Sequence, residues 1–217
     1  MYSWLDLVHK HTGLTGVVIC NGSTLGAVPR QFLSKFLTIG TNGIFKLPFQ
    51  PTYYVAINEL VIQEFREGIK SLSSIKFIKD KFAEEFDAFA LHSDYQDSLF
   101  SKTPYTWIYE GGTVTHVALQ IAFFLGFQTV LMVGLDHRYI YKGQPNEEVI
   151  AEDIDVNHFD KNYFPAGTKW NNPDLVQSEI SYAEARKIFE DNGRRIINLT
   201  PNTSEEIFEK GTYWDYL

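Results

Sequence analysis

Apolar residues along the chain fall into short continuous runs, each closed by small or polar residues. Residues 16–20 (GVVIC), 37–40 and 53–57 form three such runs, and residues 129–133 and 195–199 form two more. Runs of this length without alternation predict strands of a parallel sheet covered on both faces. Helical spacing predicts helices between them. One covers residues 59–69 with Leu60, Ile62 and Phe65 inward. A second follows Gly111-Gly112 and stops at Gly126, and a third covers residues 173–192 and stops at Gly193. A short amphipathic helix is predicted at residues 3–11, with Trp4, Leu5, Leu7 and Val8 on its apolar side. A partly helical segment follows residue 24 through Phe32, and a last short helix is expected at residues 205–208, capped by residues 200–204. Residues 74–78 and 88–91 read as short strands flanking KDKFAEEF, a charged stretch expected to be solvated. Strands alternating with helices predict an α/β fold built on a doubly wound, mostly parallel sheet with helices on both faces. No repeat or linker interrupts it, so residues 1–217 are expected to form a single domain.

Two stretches carry no period. Residues 93–109 hold Pro104 and many aromatics and are expected to form a flap over a site. Residues 138–172 are rich in Asn, Asp, Gly, Pro and Tyr and longer than an ordinary connection, which predicts an irregular lid or insert. At 217 residues, 44% hydrophobic and 15% aromatic, the chain supports one dense core. Its net charge of -8 argues against nucleic acid as the main partner, because a phosphate backbone needs a basic footprint. The single cysteine, Cys20, excludes a disulfide framework and fits a reducing compartment. The opening MYSWLDLVHKHTG holds no signal-peptide core, and no apolar run approaches a membrane span. A soluble, cytoplasmic protein is expected. The aromatic end Tyr213-Trp214-Asp215-Tyr216 packs either on its own core or on a neighbouring copy, which leaves a homo-oligomer open.

Ligands of open parallel sheets lie beyond the strands' C-terminal ends, where helix N-termini present unpaired N–H groups. Three successive apolar runs end in an asparagine: Asn21, Asn42 and Asn58. Asparagine offers both an acceptor and donors and so reads ribose hydroxyls or base edges. It also tolerates left-handed turns and caps helices. Three at equivalent strand ends favour a ligand edge. The turn Asn21-Gly22-Ser23-Thr24 is small and polar but is neither GxGxxG nor a Walker loop. One wall of a site is expected at residues 111–115, with Gly112, Thr113 and Thr115 as its candidates, and another at Asp136-His137, which close a strand. Asp136 orients His137, acts as a base, binds Mg²⁺ or caps the junction. His158, inside the insert, is either a general base or a loop histidine bonded to Asp155 or Asp160. Arg138, Lys142 and Lys169 are phosphate cations or solvated loop charges. His9 and His11 are expected in an exposed segment, and His92 and His116 in structural roles. Zinc spacing, Gly-x-Ser-x-Gly and a Cys/His nucleophile pair are absent from the sequence.

The motifs CNGSTL, TIGTNGIF, PTYYVAIN, GGTVTHVALQIAFFLGF, VGLDH, NHFDKNYF and PNTSEEIF occur in this order. Together they resemble the MptE-like family, named for archaeal 6-hydroxymethylpterin diphosphokinase, whose members include sugar-transfer proteins of surface-glycan and flagellin-glycosylation clusters. The layout is also similar to bacterial sialyltransferases with a single Rossmann-like domain. The resemblance spans about residues 16–208. It implies a Rossmann-like fold and a CMP-sugar held by Asn21, Gly22, Asn42 and Asn58, with Ser23 and Thr24 completing the turn. It also implies that Thr113 or Thr115 supplies a hydroxyl at the helix start, and that Tyr139 and Tyr141 steady the departing phosphate. The histidine of the irregular insert, here His158, would be catalytic. Two positions depart from the pattern. The usual Asn-Gly-Pro-Ser-Leu reads Asn21-Gly22-Ser23-Thr24-Leu25, and Gly111 stands in the region where the sialyltransferases carry an arginine.

The resulting expectation is a glycosyltransferase that moves a sugar from a nucleotide-activated, CMP-linked donor to a surface-glycan acceptor, with His158, Asp136 and His137 as catalytic residues and no metal. The alternative is an MptE-like pyrophosphokinase using ATP and Mg²⁺, for which Asp136, Asp153, Asp155 and Asp160 are the local carboxylates. A third reading is a nucleotide- or glycan-binding module without catalysis.

Overall fold

A computed structural model describes residues 3–95, 98–152 and 154–217. Along the chain the strands are β1 (Thr15–Ile19), β2 (Leu37–Thr41), β3 (Tyr53–Ala56), β4 (Ile75–Lys79), β5 (Phe89–Leu91), β6 (Ser93–Asp94), β7 (Ile108–Tyr109), β8 (Thr129–Val133), β9 (Glu148–Ile150), β10 (Lys169–Asn171), β11 (Arg195–Asn198) and β12 (Glu209–Lys210). The α-helices are α1 (Arg30–Leu33), α2 (Glu59–Glu64), α3 (Arg66–Ser71), α4 (Asp80–Ala83), α5 (Val114–Leu125) and α6 (Leu175–Asp191).

Eight strands form one sheet in the order β12-β11-β8-β1-β2-β3-β4-β5. Every neighbouring pair in it is parallel. Side chains alternate between two cores, as strand geometry requires. Val18, Cys20, Val55 and Met132 face one, and Val17, Ile19, Tyr54 and Val133 the other. The first core is covered by α5, buried almost from end to end, and by α6; the second is covered by the short helices α1–α4. The fold is thus a doubly wound, Rossmann-like α/β arrangement. From β1 the chain winds outward through β5, then returns through α5 to place β8 on β1's other side. The winding therefore reverses between β1 and β8, and a crevice opens beyond their C-terminal ends.

Several local expectations are corrected. Residues 3–11 do not form a helix: one 3-10 turn, Trp4–Asp6, is followed by turns, and His9 takes a left-handed φ of 51°. Leu7 alone of the four apolar positions is fully buried, while Trp4 packs against Phe77, Phe89 and Phe124. His11 is not exposed; its Nε2 lies 2.7 Å from the Tyr53 hydroxyl and its ring stacks on Phe127. The helix expected over residues 59–69 is two short ones, α2 and α3, broken at Phe65. KDKFAEEF is not simply solvated, because Phe82 and Phe86 pack into the second core and Ala83 is buried as well. Residues 205–208 are not helical. The buried Glu205 carboxylate accepts the N–H groups of Ile207 and Phe208, and also Asn198 Nδ2 and Lys210 Nζ, in a tight turn before β12. Residues 93–109, as far as described, divide: Tyr95 lines the cavity, while the Leu99 carbonyl meets His116, Ser101 N–H meets Gln120, and Phe100 packs on Phe123 and Phe189. Tyr213 and Tyr216 pack on Phe32 and Phe36 of the same chain. Among the described residues no helix is long and apolar enough to cross a membrane.

His116 gives the fold a pH signature. Its ring is fully buried in α5, Nε2 bonds the Leu99 carbonyl at 2.9 Å, and Nδ1 has no partner. Burial lowers its pKa to about 4 from the ordinary 6.5. Below the ordinary value the unfolded chain takes up a proton that the folded one refuses, so stability falls as pH drops from 6.5 towards 4. The loss reaches about 3 kcal/mol at the lower limit. Urea unfolding at neutral and mildly acidic pH should show it, and His116→Gln should flatten that part of the profile.

Candidate functional site

The strand register decides which polar residues meet. Ile19 pairs with Gly40 on one side and with Val133 on the other. Asn21 and Asn42 therefore leave the sheet at the same height, beside Gly134–Asp136. Thr41 pairs with Val55, which puts Asn58 two residues farther along the same edge. These strand ends, the start of α5 and the insert enclose a cavity of about 200 Å³ at the winding reversal. Asn21, Gly22, Asn42, Asn58, Gly112, Thr113, Thr115, Asp136, His137, Tyr139 and His158 all line it. Of the other sequence candidates, Ser23 and Thr24 stand behind the wall, bonded to Asp136, and Tyr141 is not part of the lining.

The three asparagines differ in what they leave free. Asn21 Nδ2 donates to the Thr41 carbonyl (3.1 Å) and to Thr41 Oγ1 (2.8 Å), which fixes the amide and leaves Oδ1 buried without a donor. Asn42 adopts a left-handed φ of 45°, and its Oδ1 is likewise buried and unpartnered. Asn58 is more structural: its Oδ1 caps α2 by accepting Val61 N–H, and its Nδ2 bonds Asn171. Buried acceptors without donors are uncommon in folded chains. Two of them stand at one strand-end level.

Gly22 and Asp136 form one unit. Gly22 N–H donates to the Gly134 carbonyl at 2.9 Å, and a Cβ at Gly22 would overlap the Asp136 carboxylate. That carboxylate accepts Thr24 N–H, Thr24 Oγ1 and Ser23 Oγ, so its role in the structure is to hold the turn. Burial raises its pKa above the usual carboxyl value, against the pull of those hydrogen bonds. At the other wall, Gly111 and Gly112 both take left-handed φ angles and deliver the chain to Thr113, whose hydroxyl accepts Thr115 N–H as the cap of α5. A Cβ on Gly111 would overlap Ser181 Oγ of α6, so glycine there lets the two helices close up. Of the first-turn N–H groups of α5, Thr115's is taken by Thr113 Oγ1 and His116's by the Thr113 carbonyl, which leaves Val114 N–H for this wall. Thr115 Oγ1 lies 3.5 Å from Cys20 Sγ, and burial pushes that thiol up to about 12.

Two histidines reach the cavity, each backed by a carboxylate. His137 is nearly buried, in a left-handed conformation, with Nε2 3.1 Å from Glu179 of α6. His158 is held more tightly. Its Nδ1 lies 2.8 Å from Asp155 Oδ2, while Asp155 Oδ1 accepts the N–H groups of Asn157 and His158. Its ring stacks on Tyr163 with centroids 3.9 Å apart and planes at 6°, and Phe164 meets it edge-on. Tyr163 in turn receives Gly43 N–H at its hydroxyl. The insert is tied to the strand ends as well, by Phe159 N–H on the Asn21 carbonyl. With Nδ1 donating to a carboxylate, the neutral ring carries its lone pair on Nε2, which no group among the described residues engages. Burial acts to raise the Asp155 carboxyl, but the His158 hydrogen bond and the two backbone donors prevail and hold it below its usual value.

The cationic candidates are not gathered here. Arg138 lines the cavity, but its guanidinium is held by the Asn202 carbonyl and Ser204 Oγ; Lys169 pairs with Glu148, and Lys142 is exposed outside the lining. The carboxylates considered for Mg²⁺ do not converge. Asp136 serves the Ser23–Thr24 turn, Asp155 serves His158, Asp160 accepts Asn162 N–H, and Asp153 lies outside the described residues. Among the described residues no group of three or more His, Cys, Asp or Glu is placed to hold a metal.

Sequence reasoning missed Tyr163, Glu110, Tyr95, Glu179 and the amides Asn146, Asn171 and Asn172. The available signal was Trp170-Asn171-Asn172-Pro173, an aromatic and two amides closing the unperiodic insert. There β9 and β10 pair as an antiparallel hairpin. Comparison of the chain with known protein families, curated proteins and solved structures finds no match.

Proposed function

We propose that the chain transfers a sugar from a nucleotide-activated donor, CMP-linked, to the hydroxyl of a surface-glycan acceptor, and acts in the cytoplasm. The observation that carries this reading is the meeting of His158 Nε2, unengaged and oriented by Asp155, with the Asn21–Asn42 acceptor level in one cavity at the winding reversal. In the reaction the acceptor hydroxyl gives its proton to His158 Nε2 and its oxygen bonds to the anomeric carbon. The bond from that carbon to the phosphate oxygen breaks, and CMP leaves with the electron pair. In this proposal the Val114 N–H at the start of α5 and the Thr113 and Thr115 hydroxyls, all on the cavity wall, stabilise that phosphate charge without a metal. Asn21 Oδ1 and Asn42 Oδ1 suit the donors of a cytidine: ribose hydroxyls and an exocyclic amine.

The test is ³¹P NMR of the protein with CMP-activated sugars and a panel of saccharide acceptors. Release of CMP that depends on an acceptor supports the proposal. Release of AMP from ATP and Mg²⁺ in the presence of a pterin alcohol contradicts it and supports the pyrophosphokinase.

A further inference from the structure

One side of the cavity is unsuited to the charged donor. It is built by Tyr95, Asn58, Asn146, Asn171 and Asn172, with Trp170 beside them. The amides there donate to one another, to backbone carbonyls and to Asp174. Asn58 Nδ2 bonds Asn171 Oδ1 at 3.0 Å, Asn171 Nδ2 bonds the Asn146 carbonyl at 3.2 Å, and Asn146 Nδ2 bonds Asp174 at 3.0 Å. Tyr95 donates to Asn146 Oδ1. Asn172, only 2% exposed, spends its Nδ2 on the carbonyls of Lys142 (2.7 Å) and Gln144 (3.2 Å). Two carbonyls demand the NH₂ group at that end, so the amide orientation is fixed. Asn172 Oδ1 is thereby left as an acceptor, buried and without a donor.

Three features together define what fits. Asn172 Oδ1 is left over as an acceptor, while the NH₂ groups of Asn58, Asn146 and Asn171 each make one hydrogen bond of a possible two, so a ligand group that both donates and accepts, a hydroxyl, fits. Among the described residues no lysine lines the cavity, its lining arginine Arg138 is held by Asn202 and Ser204, and the lining carboxylate Glu110 is engaged by Lys79 and Ser93. Phosphate and carboxylate groups are therefore disfavoured here. Trp170 and Tyr95 supply ring faces and edges on which the C–H face of a sugar packs. We infer that this side is a second subsite, for the hydroxyls of a neutral saccharide, in which Asn172 Oδ1 is the specificity-determining acceptor. Naming it the acceptor-sugar subsite rests on the glycosyl-transfer proposal; the saccharide preference itself does not.

Saturation-transfer NMR on the full chain tests it, using galactose, lactose and N-acetylglucosamine as probes at high millimolar concentration, each with and without CMP. At least one neutral sugar should bind, and CMP should not displace it. Asn172→Ala should weaken that binding by about tenfold or more, the order expected when a buried acceptor's partner is lost. Because Asn172 also ties down residues 142 and 144, a second variant guards against misfolding. Asn146→Gly removes an exposed side chain while allowing its left-handed φ of 65°, and should weaken sugar binding in the same direction. No binding by any of the sugars, equal binding by wild type and both variants, or displacement by CMP would overturn the inference. Sugar binding without any nucleotide binding would instead leave the subsite standing and remove the transferase proposal.

Discussion

Gly22→Ala is expected to abolish nucleotide binding and to lower stability by about 3 kcal/mol, roughly 10 °C in Tm. The reason is not backbone conformation, since Gly22 sits at φ -65°, ψ 163°, open to any residue. It is space. The new Cβ would overlap the Asp136 carboxylate and stand 2.6 Å from the Gly134 carbonyl. The carbonyl belongs to backbone hydrogen-bonded to Gly22 itself, so it has nowhere to go, and the carboxylate must swing away. It then loses Thr24 N–H, Thr24 Oγ1 and Ser23 Oγ together, and a largely buried charge is left short of donors. The β1–β8 crevice would lose its shape at the point where Asn21 stands. Gly26→Ala, four residues on and with nothing within 4 Å of its added Cβ, is the control and should change neither quantity. Thermal unfolding and calorimetric titration of both variants check it; equal behaviour of the two would refute the close-approach argument.

The second large effect is on turnover. His158→Ala should reduce sugar transfer by about 10²–10⁴-fold with little change in nucleotide affinity, the range for loss of a general base. Asp155→Asn should act in the same direction through His158, as a positioning residue. The wild-type carboxylate accepts two backbone N–H groups on one oxygen and His158 Nδ1 on the other. An amide can satisfy the two N–H groups only by turning its NH₂ towards Nδ1. That reverses the tautomer and places a proton on Nε2, where the lone pair is needed. The signature is a fall in kcat with KM nearly unchanged and with the same circular dichroism. A merely structural Asp155 would instead lower Tm and leave kcat intact.

Much of the scaffold was legible because β1, β2, β3 and β8 are apolar runs, and a strand buried on both faces needs no partner information to be seen. The strand-end asparagines were legible for the same reason, since equal run lengths imply equal heights, and the register bears that out for Asn21 and Asn42. Residues 3–11 misled because Trp4, Leu5, Leu7 and Val8 have helical spacing, yet the segment serves to seat Leu7 and His11 against the sheet. Residues 205–208 misled because Glu205 meets N–H groups as a capping residue does, but in a turn that continues into β12. Within the insert, His158 and Asp155 lie three residues apart and could be paired on paper. The Tyr163 stack and the Asn172 carbonyl could not, because they depend on the path of a loop that has no period to read.

The measurement that bears most directly on the whole account is calorimetric titration of the protein with CMP, CDP, UDP, ATP and GTP, each with Mg²⁺ and with a chelator. Binding of CMP that is unchanged by chelation, and that is weakened by Asn21→Ala, is the predicted result. Binding of ATP alone, and only with Mg²⁺, or no binding by any nucleotide, would contradict it.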